Sequence, residues 1–570
     1  MRKTYAVVEL DLIDITAKTD SNIVADSFLA NIESLRSDDL LQPNYGTLEM
    51  NNFVLDGSKK QFPDEEIGGY ISPASDYACG FSTNPQIDIS FSTNHSSAGL
   101  TFYFWGNYPK KLKITYYRGS YKLSSFDITV DSFVFFAESK AENYNRIVIE
   151  FTKTWAPYER TKMDRIDYGT YFKWDKSNVM TAKITEEVDP ISSQLSINKA
   201  DVKIYDKSTD FNVLNPKGLY KFLQTAQEFR FTEFINDSPV NMGTFYLDKS
   251  ESDKETQISF SCVDALGILD KTTFVNGRVY NGDLAEVVIG EIMASAGWEK
   301  YTIEEELKGK PIYGYIRVCT HREALQQVVF SIGAVADCSR SDDIKIYSVK
   351  KSVNSYINKN RKLSGKSKEE LKDFVSDIEI TMHNYVLQNE ETEIFSGFLE
   401  SGVVKITFDS PYSGVSSTAE VLETGTNFVV LNVDAPGEYT VSGYLYEDMS
   451  SVMTTSLERI PANQSGQVVQ ITDATLVAAN NAKEISKKLL DYYSLRNKTE
   501  AKIILENEKT GNWTGISGLF NQKYAGCIES QIIDLTGGFL STIKLVGFDK
   551  ELVAYYYTGE LYSGSETGVM

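Results

Sequence analysis

Histidine is nearly missing from this chain, with His95, His321 and His383 the only three among 570 residues. None stands in HxxxH or HExxH spacing, so a histidine-based metal or acid–base centre has little to draw on. The five cysteines, Cys79, Cys262, Cys319, Cys338 and Cys527, fall singly, without a CxxC pair or a neighbouring histidine. That excludes the common zinc sets and suits synthesis in a reducing cytoplasm. Cys262 and Cys319 stand among apolar neighbours and are expected to be small core residues. Positive charge is also short: 57 Lys and Arg face 79 Asp and Glu, for a formal net charge of −22. Such a surface repels a phosphate backbone, which argues against general nucleic-acid binding. No run reaches the ~18 apolar residues of a membrane-spanning helix. The GxSxG, GxxxxGK[ST] and strand-linked GxGxxG motifs are absent as well. No catalytic, cofactor or metal residue is assigned, although abundant carboxylates leave a converging pair open.

What the chain does have is aromatic residues, 34 Tyr and 30 Phe, in segments that mostly alternate with period two. These side chains suit pleated surfaces, so the fold is expected to be mainly β with a minor α/β part. At roughly 100 to 200 residues per domain, the length implies about three to five domains. The opening MRKTYAVVELDLIDIT reads as a strand and not as a signal peptide, although Val7, Glu9, Asp11 and Ile13 leave its faces unresolved.

Between residues 45 and 169 the texture changes to short aromatic-rich strands closed by Gly, Asn or Pro. Asn51-Asn52-Phe53-Val54-Leu55-Asp56-Gly57, the stretch Leu100 to Trp105, and Trp155-Ala156-Pro157-Tyr158-Glu159-Arg160 through Gly169 resemble the discoidin-type, galactose-binding-like jelly roll. Aromatic faces in such modules stack on sugars, and Trp105, Tyr108, Tyr117, Trp155 and Tyr158 are the glycan-binding candidates. Most of them are equally suited to filling the sandwich. Asp56, Asp64, Glu65 and Glu66 match no fixed calcium loop and read as a solvated acidic loop.

Past Val279 the period becomes helical. Asp283-Leu284-Ala285-Glu286 reads as a capping-box variant, with Leu284, Val287, Val288 and Ile292 on one face and Gly297 as the stop. Thr320-His321-Arg322-Glu323 opens a second helix the same way, burying Leu325, Val328, Val329 and Ile332. His321, just after the cap and without a partner in sequence reach, is expected at the surface. A strand pair turning at Asp342-Asp343 follows. Residues 481–496 form an amphipathic helix with Ile485, Leu489, Tyr492 and Tyr493 on one side and Lys483, Lys487, Lys488 and Asp491 on the other. Thr536-Gly537-Gly538 marks a closing hairpin.

The run ADVKIYDKSTDFNVLNPKGLYKFLQTAQEFRF, followed by MGTFYLDKSESDKETQISFSCVDALGILDK, resembles the first barrel of phage tail hub proteins. The helix–strand succession after it and the last third of the chain resemble the hub's small α/β domain and second barrel. Val-Ser-Asp-Ile-Glu-Ile-Thr (375–381) matches a strand of that second barrel. The resemblance implies a first barrel from residues 1–44 and 170–275, interrupted by a jelly roll at 45–169. It further implies an α/β domain at 276–350 and a second barrel at 351–570 carrying a β insertion. It implies a homotrimer in the virion, made in the host cytoplasm, touching tail tube, spike or tip and other baseplate proteins, with a cell-surface glycan as a further candidate partner. The alternative is a carbohydrate-active enzyme or glycan-binding adhesin built on the jelly roll.

Overall fold

The computed structural model describes residues 2–26, 29–31, 35–36, 69–215, 218–224, 226–457, 466–518 and 523–547. Its largest sheet has thirteen strands. In chain order these are β1 (Thr4–Ile13), β2 (Gly169–Trp174), β3 (Val179–Glu187), β4 (Lys199–Tyr205), β5 (Glu228–Ile235), β6 (Ser238–Lys254) and β7 (Gln257–Val263). The later members are β8 (Val353–Ile357), β9 (Lys362–Leu371), β10 (Asn497–Ile504), β11 (Trp513–Ser517), β12 (Lys523–Asp534) and β13 (Leu540–Gly547). Alternation sets the faces: Val8, Leu10 and Leu12 of β1, Ala200, Val202 and Ile204 of β4, and Ile258, Phe260 and Cys262 of β7 all point into the core. Glu9 and Asp11 therefore take the opposite face of β1, which resolves what the mixed pattern left open.

Neighbours run β2-β1-β5-β6-β7-β4-β3-β12-β13-β10-β9, with β11 on β12 and β8 on β11. This order contains one arrangement twice. Strands β3 to β7 lie side by side as first, second, fifth, fourth and third, and strands β9 to β13 do the same. Every neighbouring pair is antiparallel in both sets. The third strand of each set also takes one earlier strand, β1 antiparallel on β5 but β8 parallel on β11. The two units join where β3 pairs with β12, Lys183 opposite Asp534 through Glu187 opposite Ser530. A single apolar core runs beneath both, with Phe229, Phe231 and Phe260 from the first unit and Ile503, Ile516 and Ile543 from the second. Each such side chain contributes roughly 1.5–3 kcal/mol on burial.

An eight-stranded sheet occupies the chain between β1 and β2. Its two long strands, Gln86–Phe104 and Val134–Lys153, pair along two separate stretches and fold the sheet over on itself. Ile87, Ile89, Leu100, Phe102, Ile147 and Phe151 fill the space between the layers. Asn22–Ala25 and Leu29–Asn31 already belong to this sheet. The chain thus leaves the large sheet after Ile13, and not near residue 45 as the sequence reading had it. The helix Ile15–Asp20, capped by Asp14 accepting from the Ala17 amide, makes the turn. The point at 45, the segment Asn51–Gly57 and the acidic Asp56, Asp64, Glu65 and Glu66 lie outside the described residues.

After β7 comes the α/β segment, with helices α1 (Ala285–Ser295) and α2 (His321–Ser331) over a three-stranded sheet. The Thr320–Glu323 capping box forms. The Asp283 cap does not: the cap falls one residue later, on Leu284, and Asp283 instead binds Arg278 and the Asn281 amide. The buried face shifts accordingly to Ala285, Val288, Ile289, Ile292 and Met293, leaving Leu284 and Val287 exposed. Between β9 and β10 the chain makes a second excursion. The strand Val375–Met382 pairs there with Ser451–Ser456 and Gln467–Ile471 under helix α3 (Ala482–Tyr493), so it belongs to the excursion and not to the second unit. Two further three-stranded sheets between Tyr385 and Asp448 form a small core of their own.

Candidate functional site at the seam

The pairing of β3 with β12 places Glu186 on the buried side of the seam, with none of its surface exposed. Arg340, from the loop after Val335–Asp337, donates from Nε to Glu186 Oε1 at 3.2 Å and from its guanidinium to the Glu508 carbonyl at 2.7 Å. Gln531 of β12 donates to the other oxygen of Glu186. Glu508 in turn accepts from Arg361 at 2.7 Å and from the Glu506 amide at 3.0 Å. The network continues through Ser339, which meets Thr510 at 2.7 Å, Asp337 at 2.6 Å and the Asn198 amide at 3.3 Å. Asn198 reaches back to β3 by accepting from the Glu187 amide at 2.8 Å. First unit, α/β segment and second unit are thereby held in one polar lattice.

Burial raises two carboxyls in and beside this lattice. Asp264 is pushed up to about 7 by desolvation, against the pull of the Asn198 and Gly267 amides. Asp337 is pushed up to about 6, again by desolvation first, with Ser339 pulling the other way. Raised carboxyls also occur in catalytic sites. Here Glu186, Asn198, Asp264, Glu508 and Gln531 are all at most 1% exposed, so no substrate reaches them. The arrangement sets orientation, because a satisfied buried network fixes which surfaces meet.

A charged groove of about 610 Å3 lies between β1, β5 and the inserted sheet and gathers Glu9, Asp11, Asp167 and Glu228. Asp11 is pushed up to about 6 by burial and by Glu228. The other three are paired: Glu9 with Lys173 at 2.8 Å, Asp167 with Arg165 at 2.5 Å, and Glu228 with Arg230 at 2.6 Å.

Of the sequence-derived glycan candidates, the structure gathers Tyr108 and Trp155 on one end of the inserted module, with Tyr158 in the Trp155 loop. Tyr108 packs edge-on against Trp155 at 6.4 Å and against Phe133 at 5.0 Å, with Lys110 over the Trp155 ring at 5.0 Å. Trp155 and Tyr158 are half exposed in one loop. Trp105 opens the Tyr108 loop, with Lys162 over its ring at 5.4 Å. Tyr117 sits apart, roughly 20 Å along its strand at the usual rise per residue, beneath Arg146.

Two of the histidines sit in hydrogen-bonded bridges. His321 is 2% exposed, contrary to its expected surface place, because its ring bridges Thr272 at 2.8 Å and Ser295 at 3.1 Å. Burial lowers its pKa. His95 lies between Asp14 and Asp20, each at 3.0 Å, and so ties the inserted module to the segment following β1. Among the described residues no group of three or more His, Cys, Asp or Glu is placed to hold a metal ion, and no helix is long and apolar enough to cross a membrane. Cys262, Cys338 and Cys527 are buried and Cys319 is partly buried, all as free thiols. The lattice residues Glu186, Arg340, Arg361, Glu508 and Gln531 carried no signal in sequence, since each sits in an ordinary polar stretch.

No family model matches the sequence, and no curated protein matches it. Among solved structures, the chain is similar to the 43 kDa tail protein of prophage MuSo2 from Shewanella oneidensis, at 12% identity and a TM-score of 0.40, over 66% of this chain and 95% of that one. It is similar to a tail protein from Neisseria meningitidis MC58 at 10% identity and a TM-score of 0.40, over 66% and 93%. Prophage tail protein gp18 from Listeria monocytogenes EGD-e is similar at 9% identity and a TM-score of 0.37, over 67% and 92%.

Proposed function

We propose that this chain is a structural hub of a phage tail or phage-derived injection particle, three copies of which close a ring of six similar units. The observation that carries the reading is the repeated strand order of β3–β7 and β9–β13 within one sheet. A threefold ring of duplicated chains presents six near-equivalent edges to a sixfold tube and three to a threefold spike or tip. The seam lattice suits that role, because a ring closes only if the angle between its units is set within each chain. Among the described residues β2, β8 and β9 each pair on one side only, leaving main-chain groups for contacts between copies or with tube protein. Lys368, Glu369 and Glu370, exposed on β9, guard that edge against unselective pairing.

The inserted module is the part we assign to outward contact, with a baseplate protein or, through Tyr108, Trp155 and Tyr158, with a glycan. The alternative, a carbohydrate-active enzyme, has Asp11 beside Glu228 in its favour, since an acid raised toward neutrality beside a carboxylate is what glycoside cleavage uses. Against it stand the cations that already engage Glu9, Asp167 and Glu228.

Native mass spectrometry tests the reading, followed by electron microscopy of the same sample. A species three times the 64.0 kDa chain, forming rings alone or with tube protein, is expected. A monomer at micromolar concentration that ignores tube protein, or one that cleaves polysaccharide until Asp11→Asn stops it, sinks the hub.

A further inference from the structure

A cavity of about 360 Å3 opens where α3, the α/β segment and the second unit meet. Ile191, Val349 and Trp513 give it an apolar wall, and Lys310, Lys351, Lys487 and Lys488 stand around it. Only Glu484 and Asp491 oppose them in the lining, so lysines outnumber carboxylates there on a chain whose formal total is −22, and Lys351 also stands over the Trp513 ring at 6.0 Å. Glu484 is already engaged by Lys310 at 2.9 Å, and Lys310 also donates to the Ile332 carbonyl at 2.9 Å. Lys488 gives one of its three N–H donors to the Gly333 carbonyl. Burial, with Lys310 adding repulsion, draws the Lys488 ammonium down to about 8, while Glu484 and Asp189 pull the other way. A half-buried lysine beside an apolar wall, in a lining where lysines outnumber carboxylates, is complementary to an amphipathic anion.

We infer that this cavity binds a carboxylate carried on a short apolar or aromatic body, the carboxylate meeting Lys487 and Lys488 and the body lying against Ile191, Val349 and Trp513. A peptide chain end and a free aliphatic acid share that chemistry. An anion there bridges α3 to the α/β segment, because Lys488 and Gly333 line the same wall.

The test titrates the full chain with N-acetylphenylalanine, octanoate and the neutral N-acetylphenylalaninamide, read by calorimetry and by tryptophan fluorescence. Both acids are expected to bind, with the amide about tenfold weaker or worse, the factor that one lost charge-assisted hydrogen bond commands. Tighter N-acetylphenylalanine marks a peptide end as the natural source, and tighter octanoate a free acid. Lys488→Met is expected to weaken the acids about tenfold while Lys488→Arg retains them. Should Lys488→Met fail to fold, the exposed Lys487→Ala and the acid–amide comparison on the unaltered chain still decide. Equal binding of acid and amide, no binding at millimolar ligand, or a folded Lys488→Met that binds as before overturns the inference.

Discussion

Arg340 donates to Glu186 across 3.2 Å at a point where the two side chains keep 3% and 1% of their surface. One comes from the α/β segment and the other from β3, so this pair and its neighbours decide how the two sheet units are set against each other. Arg340→Met removes the cation and leaves the carboxylate buried without its partner. A loss of about 3–5 kcal/mol is expected in denaturant unfolding. The double variant Arg340→Met, Glu186→Gln should recover part of it, and a single variant within 1 kcal/mol (about the worth of an exposed pair) would rule out a role for the pair in the seam.

Glu233, on the buried face of β5, sets an expectation for pH. Burial pushes its carboxyl from 4.5 up to about 8, against the pull of Thr4 and Arg2. Between those values the folded chain holds a proton that the unfolded chain releases, so this group's contribution to stability is present at low pH and falls as pH rises toward 8. Asp264 and Asp337 act in the same direction over narrower windows, to about 7 and about 6. Glu233→Gln keeps the shape and drops the titration. Thermal melts from pH 5 to 8 should show a flatter decline and a higher midpoint at the alkaline end, and an unchanged slope counts against the assignment.

The two helix starts of the α/β segment differ in what they lose. Thr320 accepts from the Glu323 amide at 3.1 Å while Glu323 accepts from the Thr320 amide at 3.0 Å. Thr320→Ala is expected to cost about 1 kcal/mol. Asp283→Ala removes partly exposed contacts with Arg278 and the Asn281 amide and is expected to stay under about 1 kcal/mol. Urea unfolding of both variants checks the ranking.

Gly169, where the chain re-enters the large sheet, has φ +143°, and a Cβ there would stand 1.9 Å from the Leu12 carbonyl oxygen. Gly169→Ala must therefore push β2 away from β1. A loss of about 2 kcal/mol or more is expected, with faster proteolysis near residues 169–174. Unaltered melting and cleavage would place the tolerance of this junction elsewhere.

Part of this fold is legible in short stretches of sequence. The Thr320 capping box lies within four residues, and a local hydrogen-bond pattern needs no distant partner to form. The Asp283 box looked as good in sequence but failed, because Arg278 and the Asn281 amide compete for the same carboxylate. The strand Val375–Met382 has the right alternation for the second unit and yet pairs elsewhere, since a period of two says which residues share a face and nothing about the neighbouring strand. His321 was misplaced for a similar reason: Ser295, which helps bury it, arrives from another helix.

From its composition and short-range pattern alone, the chain determined a mainly β fold, its helix starts and turns, and the lack of familiar catalytic motifs, because these follow from side chains a few residues apart. Only the tertiary structure decided the doubled strand order, the early exit from the large sheet after Ile13, and the joining of β3 to β12. Gln531 and Glu186 meet across 345 residues. Many strands of this composition could satisfy either edge equally well, and which one does so depends on how every intervening segment packs.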